Sequence, residues 1–140
     1  MTPDTSMLSH HDALVYTMVM TAAADGDLND DELRTMGNIV QSLPIFQDFD
    51  PQHITAVAED AGRLLSKANG LEEAISLVDD VLPDKLHDTA YALAVDVAIS
   101  DGQLAQEELR ILELIRHKLN VDRLVAAAIE RGSVVRHRKL

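Results

Sequence analysis

No cysteine occurs among the 140 residues. That removes disulfides, thiolate metal sites, cysteine nucleophiles and thiol redox chemistry together. Tryptophan is also absent, and two tyrosines and two phenylalanines are the whole aromatic complement. Four rings are too few for a platform on which bases or sugars stack. No apolar run approaches the roughly 18 residues that a membrane-spanning helix needs. The opening stretch, Met1 to Leu14, has no basic segment ahead of a cleavable apolar core, so no secretory signal is expected. These absences predict a cytoplasmic protein with no direct membrane insertion.

Positive charge is scarce at the start of the chain. Up to Gly62, Arg34 stands alone against eleven Asp and Glu, whereas from Arg110 onward eight basic residues face three acidic ones. The net charge of −12 would repel phosphates, which excludes nonspecific nucleic-acid binding. The basic run Arg136-His137-Arg138-Lys139 has two readings. It is a solvated terminus, or it meets the acidic end of a second molecule in a homodimer.

Strand signals are missing as well: there is no sustained period-two alternation and no Asn-Gly hairpin. The helical period is nearly continuous. One helix is expected from Ser9, with Asp12 as its capping acid, to about Ala24. A second is capped by Asn29 and Glu32 and ended by Pro44. A third starts at Asp50-Pro51 and breaks at Asn69-Gly70, where Asn69 and Glu72 can cap a fourth. Pro83 opens the fifth, which mirrors the first. The sixth carries Leu109, Leu112, Ile115 and Leu119 as its stripe. The seventh carries Val121, Leu124, Val125 and Ala128 and stops at Gly132. The fold expected is an all-α, single-domain bundle of about seven helices over residues 1–140, with 1–8 and 133–140 as flexible tails.

Within this pattern one phrase is written twice. Residues 22–34 read AAADGDLNDDELR and residues 98–110 read AISDGQLAQEELR, the second 76 positions after the first (98 against 22). Asp25/Asp101, Gly26/Gly102, Leu28/Leu104, Glu32/Glu108, Leu33/Leu109 and Arg34/Arg110 are identical pairs. The expectation is a pseudo-two-fold repeat of helix, acidic loop and helix. Gly26 and Gly102 supply the turn, and Leu28 and Leu104 plug back into the core.

Asp25 and Asp101 fall at the carbonyl end of a helix, where the macrodipole disfavours a carboxylate. Either backbone N–H groups of the loop stabilise it, or a bound cation does. Glu32 and Glu108 sit in the next helix's first turn. For Glu32 a capping box suffices; Glu108 is retained although its cap equivalent is Ala105, a poor cap. The loops are not EF-hands, because position six is Asp30 and position twelve is Met36. No inward Glu-x-x-His pair supports a di-iron bundle. What remains is Asp-x6-Glu twice, an all-oxygen set suited to Ca²⁺, Mg²⁺ or Mn²⁺. His10 and His11 could bind a metal or simply flank a helix start, Asp96 belongs at the helix's exposed edge or paired with a Lys or Arg from a neighbour, and His117 is placed favourably at a helix C-terminus. No nucleophile–base set, P-loop or dinucleotide fingerprint occurs, so no enzyme is expected.

The two phrases AADGDLNDDEL and ISDGQLAQEEL resemble the tellurite-resistance TerB family, whose domain is similar to the N-terminal domain of a membrane-anchored DnaJ-like co-chaperone. The resemblance covers about His11 to Ile129. It implies a non-enzymatic all-helical protein that works with partner proteins of a stress-response system. It also implies a metal site at Asp25, Glu32, Asp101 and Glu108. Gln103 and Ala105 depart from the pattern, since the second loop loses acidic character. A helical protein–protein interaction module, its acidic loops serving only as caps, is the alternative.

Overall fold

The computed structural model describes residues 8–23, 28–100 and 106–140. Among them are seven α-helices: α1 (His10–Ala22), α2 (Asp30–Ser42), α3 (Ile54–Leu65), α4 (Gly70–Val81), α5 (His87–Ile99), α6 (Gln106–Lys118) and α7 (Arg123–Arg136). No strand occurs among the described residues. None of these helices is long and apolar enough to cross a membrane.

Helix α1 starts where Ser9 accepts the Asp12 N–H at 3.0 Å. Every residue from Ala13 to Ala22 is then buried. A helix apolar on all sides must be surrounded, and α1 packs against α5, α3 and α4. Its two buried threonines hydrogen-bond back along the helix, Thr17 to the Ala13 carbonyl at 3.0 Å and Thr21 to the Thr17 carbonyl at 3.3 Å. Helix α5 is its counterpart, with Ala90, Tyr91, Leu93, Ala94, Val95, Val97, Ala98 and Ile99 buried.

The other helices are amphipathic coats. Met36 and Val40 are the buried residues of α2, Ala74, Ile75 and Val78 face inward from α4, and Leu112 and Ile115 do so from α6. Helix α6 spans the positions of α2 displaced by 76, and the matched pair Met36 and Leu112 is buried in both. Phe46 is buried and Phe49 half-buried, as expected of the turn after Pro44. His11 fastens that turn to α1: its Nε2 lies 2.6 Å from the Ile45 carbonyl, and its ring stacks on Phe46.

His87 is buried where three helix ends meet. Its Nδ1 lies 3.0 Å from the Leu119 carbonyl, and its Nε2 lies 3.1 Å from the Leu82 carbonyl. Removing the ring would strand two buried carbonyls, those just beyond the ends of α4 and α6.

Several expectations are corrected. Pro83 precedes a 3-10 turn, Asp84–Leu86, so α5 begins only at His87. Asn69 lies ahead of α4 but makes no side-chain cap bond. Gly132 does not stop α7, and residues 133–136, expected as tail, are helical. The reason is tertiary. The buried Ser133 hydroxyl donates to Asp96 Oδ1 at 2.7 Å, and Arg136 Nη2 donates to the same oxygen at 2.9 Å. These bonds offset the roughly 1 kcal/mol that a helical glycine forfeits. Leu109 and Leu124, expected in core stripes, are 44% and 80% exposed.

Two glycines should respond to alanine with opposite sign. A Cβ on Gly70 would land on the Leu64 carbonyl oxygen and 2.8 Å from Leu65 Cα, so Gly70→Ala should destabilise by about 1–3 kcal/mol through overpacking. Gly37 lies inside α2 with nothing within 4 Å of its Cβ position, so Gly37→Ala should stabilise by roughly 0.5–1 kcal/mol. Urea denaturation midpoints of the two variants check both signs.

Candidate functional site

The first acidic helix start is a complete capping box. Asn29 Oδ1 accepts the Glu32 N–H at 2.8 Å, and Glu32 Oε1 accepts the Asn29 N–H at 3.0 Å. Asp30, Asp31 and Glu32 crowd the first turn of α2, where the helix dipole favours negative charge. Asp31 pairs with Arg34 at 3.5 Å, both well exposed. The second start repeats the arrangement in outline, with Glu107 and half-buried Glu108 in the first turn of α6. Leu28 is half-buried and packs on the core, as expected for a loop anchor.

Asp25 and Asp101, and with them Gly26, Gly102 and Leu104, lie outside the described residues. The four carboxylates of the expected metal set are therefore seen only at Glu32 and Glu108. Among the described residues no group of three or more His, Asp or Glu side chains is arranged to hold a metal ion. The other candidates have structural partners. Of the two placements open to Asp96, the structure shows the pairing: Arg136 binds it, and Ser133 besides. His11 is bound to the Ile45 carbonyl. His117 sits in the last turn of α6, its Nε2 3.2 Å from Arg116.

What the sequence did not reveal is a pair of apolar clefts beside the acidic starts. One, of about 400 Å³, lies between α1, α2 and α3; the other, of about 590 Å³, lies between α5, α6 and α7. They are lined at equivalent positions, Val19 and Val95, Ala23 and Ile99, Leu33 and Leu109, each pair 76 residues apart (95 against 19). The repeat of Leu33 and Leu109 was legible; the cleft was not, because its third wall comes from α3 or α7, which share no matching phrase.

The clefts differ in polarity. Among the described residues, Glu59 is the one charged residue lining the first, whereas Glu113, Arg116, Glu130 and Arg131 line the second. At the second, Tyr91 donates its hydroxyl to Glu130 Oε2 at 2.5 Å. Burial, then this bond and the Glu130 charge, push the Tyr91 phenol well above its ordinary range. Burial, then the charges of Asp60 and Asp12, push Tyr16 up as well.

An all-α domain built on two central helices, each followed by a coat helix with an acidic start, is the class that fold and site define. The sequence matches the family model of the tellurite resistance protein TerB over residues 11–130, and the chain belongs to that family. No curated protein and no solved structure matched the chain.

The two tyrosines are the only ones in the chain, so their ionisation is directly visible. Folding favours the neutral phenol in both, so this contribution to stability is present below pH about 10 and is lost as pH rises above it. In an alkaline titration followed at 295 nm, neither phenol should ionise at the ordinary position. Absorbance should rise together with loss of the helical circular dichroism. A separate ionisation step near pH 10 with helix intact would contradict the burial argument.

Proposed function

We propose that this TerB-family chain is a non-enzymatic, tellurite-resistance-associated protein whose duplicated acidic loops bind a divalent cation through Asp25, Glu32, Asp101 and Glu108. The observation that carries this reading is the duplication itself. An Asp-x6-Glu spacing recurs 76 residues on, and its glutamate recurs in the first turn of α6, where the cap equivalent of Asn29 is Ala105. The donor chemistry fits: four carboxylates suit a hard cation such as Ca²⁺, Mg²⁺ or Mn²⁺. Clustered carboxylates repel, and a divalent ion would relieve that repulsion while adding direct bonds. The chain would act in the cytoplasm through partner proteins of a stress-response system, for which the exposed apolar side chains of α6 and α7 offer contact area.

A second reading has one observation in its favour. The Asn29–Glu32 capping box has both of its hydrogen bonds, so Glu32 has structural work without any ion. On that reading the chain is a helical interaction module and the acidic loops are caps.

Calorimetric titration of the wild type and of Asp25→Asn with Ca²⁺, Mg²⁺ and Mn²⁺ separates the two. Ion binding predicts saturable heat that the variant weakens, a melting temperature that rises with ion according to affinity, and an ion-free variant at least as stable as the wild type. Capping predicts no saturable heat at millimolar ion and a variant that is neutral or less stable.

A further inference from the structure

The exposed large apolar side chains among the described residues are not scattered. Leu109, Leu114, Leu124, Val134, Val135 and Leu140 all belong to α6, α7 and the end of the chain. Helix α7 concentrates them in a pattern. Its inward face is fixed by buried Ala126 and Ser133, the latter bonded to Asp96. On the opposite side lie Leu124, Ala128, Arg131 and Val135, all exposed, at spacings of four, three and four. That is the spacing of a seam by which one helix packs along another. Leu124 is 80% exposed and Val135 50%, which marks a helix with apolar residues on both faces and cover on only one.

Two features select the occupant. The first is symmetry of register. The seam is centred between Ala128 and Arg131, so an antiparallel copy of α7 would set Leu124 against Val135 and small Ala128 against Arg131 of the second copy. Self-complementary order of this kind is what a two-fold contact requires. The second is charge. The whole chain carries −12 and would repel its own image over most of its surface, most of all at Asp30, Asp31 and Glu32. The α6–α7 cleft beside the seam is lined instead by two carboxylates and two guanidinium groups, Glu113 and Glu130 with Arg116 and Arg131. Neither Arg116 nor Arg131 pairs with a carboxylate among the described residues. A dyad therefore brings together apolar side chains and a rim whose charges cancel.

We infer that a second copy of this chain packs on the outward seam of α7 as an antiparallel helix pair, forming a two-fold dimer. The contact is independent of the acidic loops and of any ion there.

Sedimentation equilibrium of the full chain tests the inference. The wild type should show a concentration-dependent monomer–dimer equilibrium. Leu124→Glu and Val135→Glu should each weaken it at least tenfold, while Glu59→Lys, at the other cleft, should leave it within about twofold. The exposure of both seam residues means that helix content should be unchanged. Because the chain has no cysteine, a second measurement does not depend on the glutamate variants. A mixture of Leu124→Cys and Val135→Cys chains should form mixed disulfide dimers faster than either chain mixed with Glu59→Cys. A wild type that stays monomeric to about 1 mM, equal weakening by Glu59→Lys, or no preference in cross-linking would each overturn the antiparallel contact.

Discussion

Helix α1 has no face that tolerates water. Ten consecutive residues, Ala13 to Ala22, are buried, and α5 is nearly as closed. Burying a large apolar side chain stabilises by about 1.5–3 kcal/mol, so leaving any side of such a helix exposed forfeits several such contributions. The fold follows from that need. α1 and α5 pack on each other, and the remaining helices cover what each leaves open, α3 and α4 on α1, α7 on α5, with α2 and α6 completing the coat. Polar groups inside this centre are few and tied down: Thr17 and Thr21 bond to carbonyls of their own helix, and His87 stands between two carbonyls where helix ends meet.

The same constraint shapes the candidate site. A coat helix follows each central one, and the segment joining them carries the same Asp-Gly-x-Leu phrase both times. Acidic residues at the start of α2 and α6 complement the positive helix ends. That electrostatic service does not by itself explain why the Asp-x6-Glu spacing recurs. Capping uses Glu32 locally; a cation would use the carboxylates of both loops together, and the two demands are compatible at a glutamate with two oxygens.

Each central helix also leaves a cleft where its coat helix and the following helix fail to close over it. The two clefts share wall residues at matched positions, but the charged residues described along them differ, Glu59 at one and a mixed set at the other. The third helices, α3 and α7, are what make the two clefts unlike. The part of the chain from α6 onward carries the exposed apolar side chains and most of the basic residues. Its surface is suited to association in a molecule whose overall charge opposes it.

The helical class, the starts at Ser9 and Asn29, the turn at Pro44 and the burial of the apolar helices were legible from the sequence, because each rests on spacing or on a cap within four residues. A basic partner for Asp96 was one of two placements the sequence left open, the other being an exposed helix edge. Three things were decided only in the tertiary structure. Gly132 remains helical because Ser133 and Arg136 bind Asp96 some 40 residues back along the chain. Leu109 and Leu124 lie outside although their periodicity is that of a core stripe, since periodicity fixes which residues share a face but not whether another helix covers it. His87 became an internal bolt because Leu82 and Leu119, five and 32 residues away, converge on it. Local sequence determines hydrogen bonds and faces along one helix; which faces meet depends on packing all seven at once.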